Sequence, residues 1–136
     1  MAVVSPAYAA SFVRWMLVSL LLFILTALLM ARLLQHRDWH RRETLVPAVG
    51  MLLFFPAFVS LMNGQDSAFT TLGLCLWLYG LLTGREALAG LGLALVTVRP
   101  HIALMLAVPF LLRRGRVLLW FAAGSAVLGL FSLLLL

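Results

Sequence analysis

Lysine is absent from this sequence, acids number four, and there is one cysteine. All ten Lys/Arg positions are therefore arginine, and they give a formal net charge of +6. With 65% apolar and 10% charged residues, there is too little polarity to wrap a soluble core, so a soluble globular domain is excluded. The composition points instead to an all-α integral membrane protein, a multi-span helical bundle. A lone Cys75 excludes a disulfide framework and reads as a packing residue. Glycine-rich nucleotide loops, nucleophile elbows and zinc-binding helices are all missing. A nucleotide-sugar enzyme is thereby disfavoured, since nothing would cradle a pyrophosphate. The arginines cluster at the ends of apolar runs instead of spreading along a face, so the charge speaks of membrane topology and no nucleic-acid partner is expected.

The segment from Met1 to Ser11 has no basic stretch of the kind that opens a secretory signal, so the first apolar run is read as a retained span. Residues 13–34 form that span, bracketed by Arg14 and Arg32, with Trp15 at one rim. The polar break after it carries Arg37, Arg41 and Arg42. His36 and His40 fall one helical turn apart there, but with no further ligand nearby they read as interfacial residues and no metal or cofactor is expected. Residues 46–62 return, with Pro47 expected in a first helical turn and Pro56 expected to kink the middle. The turn Asn63-Gly64-Gln65-Asp66 follows, and residues 67–82 come back with Gly73, Trp77, Gly80 and Gly84 expected along one packing face.

Inside the apolar run from Ala87 to Leu112 sits one ionisable cluster, Arg99-Pro100-His101. About ten apolar residues flank it on each side, and at about 1.5 Å per residue neither arm alone crosses roughly 30 Å of hydrocarbon. Pro100 cannot continue a helix from Val98, and Arg99 is biased out of the helical region. The reading is a short helical pair, 87–98 with 101–112, turning at the tripeptide. Ala87, Gly90, Ala94 and Thr97 are expected on one close-packed stripe of the first arm. A last span, 117–136, is expected to pack through Ala122, Ala126 and Gly129. With this arrangement Arg32, Arg37, Arg41, Arg42, Arg85, Arg113, Arg114 and Arg116 fall on the cytoplasmic side and only Arg14 and Arg99 outside. One continuous span over 87–112 would turn the Arg113 to Arg116 patch outward, against that bias.

Two polar clusters then share the outer side. Arg99 stays protonated and needs water, a carbonyl, a carboxylate or an anion. It either caps its own helix, pairs with Asp66, or holds an anionic headgroup such as a phosphate, with His101 as second donor or acid. Asn63 and Gln65 either form a plain turn or bind hydroxyls of a sugar or headgroup.

The order Asn63-Gly64-Gln65, an apolar helix, Gly84-Arg85, the run Leu88 to Leu95, Arg99-Pro100-His101 and an arginine-rich exit resembles the core of glycosyltransferase family 87. That family comprises polyprenyl-phosphate-sugar-dependent membrane enzymes of the GT-C fold. The resemblance covers roughly Ala7 to Val127. The family usually has Lys before the proline and Gln or His after it, so Arg99 preserves the charge and His101 is a permitted variant. The resemblance implies a mannosyl- or arabinosyl-type transferase with a lipid-linked sugar donor, a glycan or glycolipid acceptor and a site on the extracytoplasmic side of the cell membrane. It implies donor-phosphate binding at Arg99 and His101, and polar cavity roles at Asn63, Gln65 and Asp66. The catalytic carboxylate of such enzymes sits in a first outer loop ahead of the stretch present here, and Asp66 does not match its place. Residues 1–136 are accordingly read as one transmembrane domain, a piece of a longer protein at both ends and inactive by itself. The rival reading is a non-enzymatic helical membrane protein, a transporter subunit or assembly partner in which Arg99 serves a substrate pathway.

Overall fold

The computed structural model of the chain describes residues 6–36, 41–53, 55–62, 66–111 and 115–134, and the described residues are helices and turns with no strand. They divide into two compact units, Met1–Ala68 and Phe69–Leu136.

In the first unit α1 (Pro6–Gln35) packs against α2 (Arg41–Leu53) and α3 (Phe55–Met62). Its buried stripe is Ser19, Phe23, Thr26, Ala27 and Leu33, a helical period on one side. The opposite side leaves Leu17, Leu21, Leu25 and Leu28 exposed. Such a bare apolar face along 28 residues, Tyr8–Gln35, is long enough to cross a membrane. One expectation about proline changes here. Helix α2 begins at Arg41, with Glu43 in its first turn where the helix dipole favours an acid, so Pro47 is internal. The kink expected at Pro56 falls next to Phe54, which with the Pro56 side chain lies outside the described residues. Ser60 and Ser67 hydroxyls are hydrogen-bonded to each other across the turn. Asn63, Gly64 and Gln65 within that turn lie outside the described residues.

The second unit is built around α5 (Glu86–Val96). Helix α4 (Ser67–Leu82) precedes it, and α6 (Pro100–Ala107), a 3-10 turn (Val108–Phe110) and α7 (Gly115–Leu134) follow. Small residues bring three neighbours onto α5. A Cβ on Gly73 would sit 2.7 Å from Gly92 O and 2.8 Å from Val96 Cγ2, while the amide of Ala89 closes on Gly80. Helices α4 and α5 therefore run antiparallel with backbones in direct contact. On another side, a Cβ on Gly90 would meet Val117 O at 2.5 Å, and one on Gly124 would meet Ala94 Cβ at 2.7 Å, so α7 runs parallel to α5. The third side belongs to α6: Ala107 joins Ala89, Leu93 and Val117 in the core, with Phe110 packed on it. Phe110 also meets Trp77 edge to face, with ring centroids 6.4 Å apart.

These contacts refine the expected packing. Gly90 and Ala94, two residues of the stripe expected on the first arm, both meet α7, and Gly92, which is not on that stripe, serves α4 on another side of the helix. Gly84 is not on the α4 face. It closes the helix with φ +71°, and Arg85 N–H to Gly80 O at 2.7 Å together with Gly84 N–H to Leu81 O at 3.4 Å completes a Schellman turn. In α7 the buried positions are Val117 and Gly124, whereas Ala122 and Ala126 are exposed and Gly129 has nothing within 4 Å. The seam follows Gly124 because that is where α5 offers Ala94. Gly115–Leu134 is the second helix long and apolar enough to cross a membrane.

Candidate functional site

The polar tripeptide stands where α5 ends and α6 begins. Helix α5 tightens in its last turn, with Thr97 N–H donating to Ala94 O at 3.1 Å and Thr97 Oγ1 donating to the same carbonyl at 2.5 Å. Arg99 N–H donates to Val96 O at 2.8 Å. Arg99 itself has φ −120° and ψ 81°, outside the helical region as its place before Pro100 demands. Its carbonyl accepts from Ile102 N–H at 3.0 Å and Ala103 N–H at 3.2 Å, which starts α6 in the reverse direction. Because Ala107 returns to the level of Ala89 and Leu93, α5 and α6 form a closed hairpin with Arg99 at its tip. Each arm, Glu86–Val96 and Pro100–Phe110, is 11 residues long, or about 16 Å. That is roughly half the hydrocarbon thickness of a bilayer.

The tip concentrates donors. The N-cap of α6 is Arg99 and carries no side-chain capping bond; a guanidinium has no acceptor with which to cap a helix start. Pro100 has no N–H, and the amides of Ile102 and Ala103 already turn back to Arg99 O. The His101 N–H, the His101 ring and the Arg99 guanidinium stand together at the positive end of a helix dipole. Arg99 is half-buried and His101 exposed. A cluster of donors with the positive partial charge of a helix start suits an anion with several oxygen acceptors.

Arg99 and His101 thus come together in the second unit. Of the other expected positions, Asp66 is half-buried in the turn ahead of α4 within the first unit, and Asn63 and Gln65 lie outside the described residues. Among the described residues no group of three or more His, Cys, Asp or Glu could hold a metal ion. His36 is exposed, His40 lies outside the described residues, and Cys75 is a buried free thiol in α4. One buried polar group near this hairpin escaped the sequence reading, Thr70 of α4, whose hydroxyl has no partner. Its signal was readable: Thr70, Gly73 and Trp77 repeat at i, i+3 and i+7 on the side that faces α5.

The family model for glycosyltransferase family 87 matches residues 1–136, the whole chain. The chain belongs to glycosyltransferase family 87. No curated protein and no solved structure matches it. Family 87 membership makes transfer of a sugar from a donor to an acceptor the frame for the donor-rich tip.

Proposed function

We propose that this family 87 chain is a multi-pass membrane glycosyltransferase that takes a hexosyl or pentosyl unit, mannose-like in type, from a polyprenyl-phosphate-linked donor on the extracytoplasmic face of the cell membrane. The spans are about 13–34, 46–62, 67–82, the short pair 87–98 with 101–112, and 117–136, in a GT-C-like arrangement. Arg99 and His101 hold the donor phosphate. Asn63, Gln65 and Asp66 bind hydroxyls of the sugar or headgroup, and the acceptor is a glycan or glycolipid.

The observation that carries this reading is the hairpin tip, where a half-buried arginine, a histidine and an uncapped helix start converge at the end of two half-membrane arms. A charged tip at the end of apolar arms matches an amphiphile with a phosphate between a polar sugar and a hydrocarbon chain. Transfer also requires a base for the acceptor hydroxyl, so the decisive test reads donor binding and not turnover. In nanodiscs, Arg99→Ala should lose about 2–5 kcal/mol of affinity for a polyprenyl-phosphate sugar, while Arg99→Lys keeps the point charge and most of the affinity. Melting temperature is measured on the same preparations. Normal donor binding by a well-folded Arg99→Ala protein would end the phosphate assignment.

A further inference from the structure

Threonines in apolar helices ordinarily spend their hydroxyl on a carbonyl one turn back. Among the described residues Thr26 Oγ1 donates in this way to Leu22 O at 2.7 Å, Thr83 Oγ1 to Tyr79 O at 2.7 Å, and Thr97 Oγ1 to Ala94 O at 2.5 Å. Thr70 does not. It is 7% exposed, and its buried Oγ1 has no hydrogen-bond partner. An unpaired buried hydroxyl is destabilising, so its retention in a helix of apolar residues calls for a partner.

The register between α4 and α5 places this hydroxyl. Gly80 meets Ala89, Trp77 meets Gly92, and Gly73 meets Val96. Thr70 lies one turn beyond Gly73 on the same side of α4, and α5 ends at Val96. The next residues of the chain are Thr97, Val98 and Arg99, so Thr70 stands level with the hairpin tip. Helical side chains lean toward the helix N-terminus, which carries Oγ1 of Thr70 further past Val96 in that direction. Trp77 Nε1 and Ser125 Oγ are also buried without partners, but Trp77 is level with Gly92 and Ser125 adjoins Gly124, which packs on Ala94, so both are set back from the tip.

We propose that Thr70 Oγ1 is a third ligand, beside Arg99 and the start of α6, for the phosphate of the lipid-linked donor. This assignment rests on the donor-phosphate reading above. Arg99 supplies charge, the His101 amide and ring supply donors from one side, and Thr70 supplies a neutral donor from the facing helix. A phosphate held from both helices is fixed in orientation as well as in place.

The test uses the full chain in nanodiscs of uncharged phosphatidylcholine, with undecaprenyl phosphate and the phosphate-free alcohol undecaprenol as probes. Thr70→Val keeps the volume and removes the hydroxyl; Thr70→Ser keeps the hydroxyl. The expected result is about a tenfold loss of undecaprenyl phosphate affinity in Thr70→Val, the weight of one hydrogen bond to a charged group. Undecaprenol binding stays unchanged, Thr70→Ser binds as the unaltered protein does, and ligand-free Thr70→Val melts no lower than the unaltered protein because an unpaired buried hydroxyl has been removed. Undiminished phosphate affinity in Thr70→Val, alongside a loss in Arg99→Ala, would overturn the role of Thr70 and leave Arg99 standing. A lower ligand-free melting temperature in Thr70→Val would overturn it too, by showing the hydroxyl to be a structural bond. If the unaltered protein binds phosphate and alcohol equally, the Arg99 and Thr70 assignments fall together.

Discussion

The glycine contact between α4 and α5 sets where the hairpin tip lies, and Gly73→Ala attacks it directly. The added methyl would stand 2.7 Å from Gly92 O, 2.8 Å from Val96 Cγ2 and 3.1 Å from Leu95 Cβ. The first of these is a backbone atom of a helix pinned by its own hydrogen bonds, so no rotamer change relieves the clash, and the helices must part by roughly 0.5–1 Å. Overpacking of this kind costs about 1–3 kcal/mol, and with a rigid carbonyl as neighbour the upper part of that range applies. The exchange of glycine for alanine in a helix returns up to about 1 kcal/mol, which leaves a net loss of about 2 kcal/mol. Gly129 in α7 is the control, because nothing lies within 4 Å of a Cβ there and only the propensity gain remains. Thermal unfolding of the purified protein, followed by tryptophan fluorescence, should therefore show Gly73→Ala several degrees lower and Gly129→Ala level or higher. Equal melting temperatures for Gly73→Ala and the unaltered protein would refute the close α4–α5 packing.

Gly84→Ala puts a Cβ on a residue at φ +71° with open space around it, so the loss should be about 1 kcal/mol of backbone strain, seen as a modest drop in melting temperature, whereas Gly84→Asn should keep most of the stability. The arginine asymmetry predicts that, in intact cells, a cysteine at position 65 or 99 is labelled by an impermeant maleimide and one at position 41 or 114 is not; labelling at 41 or 114 from outside would reverse the proposed orientation.

The break at Arg99 was legible because two local rules coincide there, the missing N–H of Pro100 and the restriction it imposes on the residue before it. The burial of α5 was legible too, since a helix of alanines and glycines has little else to offer than close approach. Which neighbour each face meets was not: Gly90 and Ala94 meet α7 and Gly92 meets α4, and which neighbour stands where is a tertiary matter. The same holds for α7, where Ala122, Ala126 and Gly129 make as good a small-residue face as the one used, and only the position of Ala94 on α5 selects Gly124. Pro47 is internal and not in a first turn because a helix start is decided by the whole first turn, and Glu43 moves it back to Arg41. Of the candidate site, Arg99 and His101 stood out by charge inside an apolar run, while Thr70 is ordinary in sequence and becomes conspicuous only once its hydroxyl is seen to lack a partner.

We propose that the donor phosphate sits at the tip of the α5–α6 hairpin. It is tested most directly by photocrosslinking with a polyprenyl-phosphate sugar that carries a diazirine on the first isoprene unit, next to the phosphate. Mass spectrometry of the digested adduct should place the label within residues 97–103 or on the first turns of α4, and excess unlabelled donor should abolish it. Labels confined to α1 or to the far ends of α5 and α6, near Glu86 and Phe110, would contradict the account.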